Sequence, residues 1–97
     1  MALGSLTVRL LVRESRSLKD KRQVVRSILD RIRGGFNVSA AEIDSHDDVK
    51  VATLGFAVVA GESVAARAVL NEIAEALRKH PIAEYLGSEI SIGNEVV

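Results

Sequence analysis

The sequence predicts an α+β sandwich with element order βαββαβ, two helices lying on one face of a four-stranded antiparallel sheet. Three observations lead there. Two long stretches, residues 6–13 and 49–60, alternate with the period of a strand. Each is followed by a stretch that is apolar along one helical stripe only, residues 17–33 and 64–79. Each of those is followed in turn by a shorter strand-like stretch. Two helices with one apolar stripe each must cover a single sheet face.

In the first strand, Leu6, Val8, Leu10 and Val12 alternate with Thr7, Arg9, Leu11 and Arg13. The first helix should start at Ser17 as N-cap, with Asp20 three residues on as a weak capping-box partner, and stop at Gly34 in the left-handed C′ conformation. Its apolar stripe is Leu18, Val24, Val25, Ile28, Leu29 and Ile32. The second strand, 36–43, has Phe36, Val38 and Ala40 toward the core. Its phase then puts Glu42 on the core side and Ile43 on the other, for which a bulge or an early end near Ala41 is the expected cause. Residues 44–48 form a polar turn.

The third strand, 49–60, is the most apolar. Ala52, Leu54, Phe56, Val58 and Ala60 share one face; Val51, Thr53, Gly55, Ala57 and Val59 share the other. Ser63 is the expected N-cap of the second helix, whose core face is Ala66, Val69, Leu70, Ile73, Ala76 and Leu77. Glu75 and Lys79 are spaced for an i,i+4 pair. His80-Pro81 stops the helix, because the residue before proline avoids helical geometry, and His80 should cap it with a dipole-favoured charge. Residues 89–93 make a short last strand with Ile90 and Ile92 inward, and residues 94–97 a frayed tail. Right-handed crossovers interlock the two βαβ units into one ferredoxin-like domain over residues 1–97, with the first and third strands central.

Ninety-seven residues, 47% of them hydrophobic, suffice for one core. No apolar run approaches ~18 residues, so no membrane span is expected. Residues 1–7 lack a basic n-region and a cleavage-type end, so no signal peptide is expected and the location should be cytoplasmic. The chain has no cysteine, which excludes disulfides, thiolate metal sites and cysteine nucleophiles. Net charge is zero, yet residues 1–36 carry nine Lys/Arg against three acids, or +6, and the remainder carries four against ten, or −6. Such asymmetry suits either a polyanion-binding surface or self-association through opposite faces; equally, the halves can neutralise each other across the fold.

The basic charge concentrates on the first helix. Lys19, Arg22, Arg26 and Arg33 fall within about 60° of one another on the helical wheel. Arg22 and Arg26 are one turn apart and repel unless an anion intervenes. Lys19, Lys21 and Arg22 place positive charge at a helix N-terminus, against the macrodipole, which a bound anion would relieve. Lys21 falls inside the apolar arc; its simplest reading is a side chain that snorkels past the sheet end. Lys19, Lys21, Arg22, Arg26 and Arg33 are therefore the candidate contacts to nucleic acid or another anion, and Arg9 and Arg13 candidate contacts on the uncovered sheet face. That face is small and apolar. Its aromatics are too few for base stacking, since Phe36, Phe56 and Tyr85 are the only ones in the chain and alternation puts Phe56 on the helix side. An open apolar face suits a homodimer, joined through this face or through an edge strand.

Asp44, His46, Asp47 and Asp48 could offer ligands to a divalent ion, but polar residues favour a hairpin turn in any case, and no metal site is expected. No phosphate loop, GxSxG or HExxH motif is present. No catalytic residue and no cofactor are assigned.

The segments SLKDKR (17–22), FNVS (36–39), Ala41-Glu42, Asp44 and ATLG (52–55) resemble the YlxP-like family, a bacterial domain of unknown function, over roughly residues 5–92. The resemblance implies the same ferredoxin-like fold and carries over no catalytic residue. Members often lie near genes for translation initiation and ribosome maturation. After Asp44 this chain departs from the family's His-Gln-Asp-Leu-Trp-like run: it has no tryptophan, and His46 stands one place late. The leading expectation is a small non-enzymatic protein acting on RNA or a ribosomal particle. The alternatives are a homo-oligomeric interaction module and, with least support, a metal-dependent or small-molecule enzyme using residues 44–48.

Overall fold

A computed structural model describes residues 1–94. The order is β1 (Ala2–Leu11), α1 (Leu18–Gly35), β2 (Ser39–Asp44), β3 (Val51–Ala60), α2 (Ser63–Arg78) and β4 (Glu84–Asn94). The strands form one sheet in the order β2-β3-β1-β4 with every neighbouring pair antiparallel, a ferredoxin-like arrangement. The core lies between the sheet and the helices. Leu6, Val8 and Leu10 of β1 and Ala52, Leu54 and Phe56 of β3 meet Val25, Ile28 and Ile32 of α1 and Leu70, Ile73 and Leu77 of α2, all buried. Each large side chain so buried contributes about 1.5–3 kcal/mol relative to exposure.

Every strand differs from expectation in at least one bound: β1 ends at Leu11 rather than residue 13, β2 spans Ser39–Asp44 rather than 36–43, and β3 begins at Val51 rather than residue 49. β1 begins at Ala2 rather than residue 6, running through Gly4. Gly4 faces the helices, and a Cβ there would come within 2.9 Å of Leu70 and 3.0 Å of Ile92, so the glycine lets α2 approach the sheet closely. β4 begins at Glu84 rather than residue 89: pairing with β1 carries it through Gly87-Ser88, and a bulge at Leu86 absorbs the irregularity. Asn94 therefore ends β4, and the rest of the expected frayed tail, 95–97, lies outside the described residues.

The helix termini also differ. Ser17 caps α1 as expected, its hydroxyl accepting from the Asp20 N–H at 3.1 Å. Asp20 reaches back one residue further than a capping box requires, accepting from the Arg16 N–H at 3.0 Å. Gly34 does not adopt the left-handed conformation; α1 runs through Gly35 and stops because Phe36 is extended, with φ −139°. Glu62 occupies the N-cap position of α2 without a side-chain cap bond, which leaves Ser63 inside the helix. His80 does not act on the carbonyls of α2 through its ring. Its Nδ1 accepts the N–H groups of Ile82 and Ala83, both at 3.2 Å, and so closes the α2–β4 loop. Glu75 pairs with Arg78 at 3.5 Å rather than with Lys79.

Candidate functional site

β2 is short and half-exposed, and its phase looked wrong for a core strand. The phase is real. The strand keeps Glu42 on the helix side, and the register shift falls between Glu42 and Asp44, which places Ile43 on the open face over Gly55. A Cβ at Gly55 would lie 2.8 Å from Ile43, so the glycine makes room for the bulged residue.

Glu42 faces inward because a cation waits there. Lys21 is fully buried, its side chain 0% exposed. Its ammonium donates to the Ser45 carbonyl at 2.6 Å and the Val51 carbonyl at 3.1 Å, and lies 3.5 Å from that of His46. Glu42 Oε2 stands 3.2 Å away and is buried. That oxygen meets the ammonium at ion-pair distance but outside hydrogen-bond geometry. The expectation that Lys21 snorkels past the sheet or accepts an anion at the helix start is thus corrected. Its charge is enclosed by the β2–β3 hairpin and has no path to a phosphate.

The hairpin is built to receive it. Ser45 sits at φ 61°, turning its carbonyl toward the ammonium, and its N–H donates to Asp44 Oδ1 at 2.7 Å. The Ser45 and Thr53 hydroxyls are 2.8 Å apart. Asp48 Oδ1 accepts from the N–H groups of Lys50 and Val51, both at 2.8 Å. These bonds hold its carboxyl below the usual carboxylate range, with a small further contribution from the charge on Lys21. Lys50 reaches the other way, donating to the carbonyls of Arg13 at 2.6 Å and Ser15 at 2.8 Å. Two lysines therefore bind α1, the β1–α1 turn and the β2–β3 hairpin into one unit. Among the described residues no group of three or more His, Asp and Glu is arranged to hold a metal.

The remaining cations of α1 lie outside. Lys19, Arg22, Arg26 and Arg33 are all exposed. Arg33 is partly committed, to Asp30 at 3.3 Å and to the Ala40 carbonyl. This contact places the stripe on the flank of α1 that runs beside β2, an edge strand. Lys19, Arg22 and Arg26 have no ion pair among the described residues. Arg9 is exposed on the open sheet face, whereas Arg13 lies beyond the end of β1 and pairs with Glu84 at 2.6 Å. The open face holds a shallow trough of about 360 Å³ lined by Thr7, Ala41, Ile43, Gly55 and Ala57 among others. Phe56 is turned to the helices, 2% exposed.

A family model described as a protein of unknown function (DUF503) matches residues 3–90. The chain belongs to the DUF503 family. It is 29% identical over 82 residues to the uncharacterized protein YlxP of Bacillus subtilis (strain 168), which covers 84% of this chain and 89% of that protein. Four of the five segments by which this DUF503 chain resembles its family contribute to the Lys21 joint or its frame; FNVS (36–39) lies at the other end of α1. SLKDKR supplies the Ser17 cap and the buried lysine, Ala41-Glu42 its carboxylate, Asp44 the Ser45 anchor, and ATLG the Thr53 hydroxyl and the glycine beneath Ile43. What these motifs build is a polar joint inside the fold. No helix of the described residues is long and apolar enough to cross a membrane.

Sequence reading missed Glu42 and Lys50 as partners. A signal for Glu42 was present: a lysine inside the apolar arc of α1 and a glutamate in the core phase of β2 are two misfits of opposite charge, and each accounts for the other.

Proposed function

We propose that this chain is a small non-enzymatic RNA-binding protein that meets RNA, alone or in a ribosomal particle, through the basic flank of α1 beside β2. The observation that carries the reading is that Lys19, Arg22 and Arg26 stand exposed on one helical face with no acidic partner among the described residues. Like charges spaced by one turn cost a few tenths of a kcal/mol each unless an anion lies between them. A phosphate backbone supplies that anion at regular spacing. Arg33 contributes less, because Asp30 and Ala40 already hold it. Lys21 contributes nothing outside the fold.

The reading predicts binding dominated by phosphate contacts, with little base selectivity, since no aromatic side chain is available on the open sheet face. Each contact to a single strand should add about 0.7 to the slope of log affinity against log salt. Replacing Lys19, Arg22, Arg26 and Arg33 together with Gln should lower that slope by about 2–3. Co-sedimentation with ribosomal particles at low salt, reversed at high salt and lost in the quadruple variant, would support the proposal. A wild type that binds neither single-stranded RNA nor particles at low salt would sink it.

The open-face trough favours a second reading, in which two copies join through the sheet. Leu3 and Val59 are exposed beside it, 43% and 65%. Ala57→Arg in its floor should then dissociate a dimer detected by light scattering at micromolar concentration. A scattering mass equal to one chain across that range removes this reading.

A further inference from the structure

Each helix has a flank that faces the other. α1 and α2 make few close backbone approaches to each other, and a cleft of about 350 Å³ lies between them, near the lower limit of small-ligand sites at ~300 Å³. Its floor is Ile28, Ile32 and Leu77, all buried. Its rim carries Arg31, Lys79 and His80.

These three groups were accounted for in other ways by the sequence pattern or not at all. Arg31 lies outside the basic stripe, on the opposite flank of α1. Lys79 was expected to pair with Glu75, but Glu75 takes Arg78, and Arg78 also stacks on Tyr85 at 4.8 Å from the ring centre. Among the described residues neither Arg31 nor Lys79 has an ion pair. His80 is fixed by the two loop N–H groups that its Nδ1 accepts, which makes its neutral form the Nε2–H tautomer. Burial, with the charge of Arg31, pushes its pKa below the usual histidine value, so that form prevails at neutral pH. The rim thus places two cations and a histidine ring beside the cleft. The C-terminal carbonyls of α2 oppose an anion by roughly half a charge, less than either cation supplies.

We propose that the cleft between α1 and α2 binds an organic phosphate monoester, its dianionic head held by Arg31, Lys79 and His80 and its compact apolar body packed against the exposed apolar walls, Ala76 and Pro81. A dianion matches two cations; an apolar body is required to displace water from the walls that Ala76 and Pro81 leave exposed. The site uses no residue of the RNA-binding flank, so it stands or falls separately from that reading.

The probe is phenyl phosphate, titrated into the full chain and followed by amide chemical shifts. Saturable shifts in residues 27–32 and 76–82 are expected, with Kd of about 1 mM or tighter. Benzyl alcohol, which lacks the charge, and inorganic phosphate, which lacks the ring, should each bind about tenfold more weakly or worse, a difference of ~1.4 kcal/mol. Arg31→Gln and Lys79→Gln should each weaken phenyl phosphate about tenfold. Ala76→Leu narrows the cleft from an exposed position without touching a charge, and should abolish binding while the fold persists. The quadruple stripe variant should bind phenyl phosphate as the wild type does. Absence of saturation by about 10 mM overturns the proposal. So does an Arg31→Gln/Lys79→Gln variant that binds like the wild type, or shifts confined to the region of Arg22 and Arg26.

Discussion

Lys21 and Arg22 are consecutive residues of one helix and end in opposite environments. Lys21 is 0% exposed, its ammonium ringed by carbonyls of the β2–β3 hairpin and by Glu42; Arg22 stands in solvent with no ion pair among the described residues. Both add one unit to the positive charge of the N-terminal third. Only Arg22 adds to the surface a partner would meet. The two also differ in energetic weight. A buried charge stripped of its partner, or a carbonyl stripped of its donor, carries the full cost of its desolvation, whereas an exposed charge is already solvated.

The sharpest test of this contrast is Lys21→Met, which keeps the length of the side chain and removes the charge. It should destabilise the protein by about 3–5 kcal/mol in denaturant unfolding, because Glu42 and the hairpin carbonyls lose the cation that faces them. A loss under about 1 kcal/mol would mean that water replaces the ammonium, and that the joint is not needed for folding.

Glu42→Gln comes next. Its side chain is 15% exposed and the ammonium keeps its carbonyl partners, so the single change should cost about 1–3 kcal/mol. Combined with Lys21→Met it should cost less than the sum, with a coupling of about 0.5–3 kcal/mol. Strict additivity in that cycle would show that the ion pair contributes nothing beyond the carbonyl contacts.

At the same end of α1, Ser17→Ala removes the hydroxyl that accepts from Asp20 N–H and should cost about 1 kcal/mol, measured as a shift in denaturant midpoint. Asp48 gives the hairpin a pH signature. Its pKa is depressed in the folded state by the N–H groups of Val51 and Lys50, so its contribution is fully present above the ordinary value near 3.8 and is lost as pH falls through the lower folded value. Thermal melts should show this loss in the wild type below about pH 4, and less of it in Asp48→Asn. Indistinguishable acid profiles would remove Asp48 from the joint.

The smallest effect belongs to the other side of the comparison. Arg22→Gln should change stability by less than about 0.5 kcal/mol and, under the proposed function, lower the salt slope of RNA binding by about 0.7. A large loss of stability would place Arg22 among the structural cations with Lys21.

Much of the architecture was legible because it depends on local periodicity. Alternation in β1 and β3 and the single apolar stripe of each helix determine which face of each element is buried, and four strands with two one-striped helices leave few ways to assemble. The Ser17 cap and the helix-side position of Phe56 follow from the same local rules. Where local signals misled, pairing at long range had overruled them. Alternation alone starts the first and last strands at residues 6 and 89, yet β1 and β4 run through Gly4 and Gly87-Ser88 because the ladder satisfies their backbone groups and the glycine at position 4 admits Leu70. Gly34 reads as a left-handed stop, yet extended Phe36 ends the helix.

The candidate site divides in the same way. The sequence by itself determined that Lys19, Arg22, Arg26 and Arg33 share a helical face, because angle on a helix is a property of residue number alone. It also determined that Lys21 and Glu42 lie in positions wrong for their charge. Only the tertiary structure decided that these two meet across 3.2 Å, that Arg33 spends part of its charge on Ala40, and that Arg31, Lys79 and His80 share one cleft. The physical reason is distance along the chain. Twenty-one residues separate Lys21 from Glu42, and forty-eight separate Arg31 from Lys79. No local propensity acts over such separations; what brings these charges together is the packing of the helices' apolar stripes on the sheet.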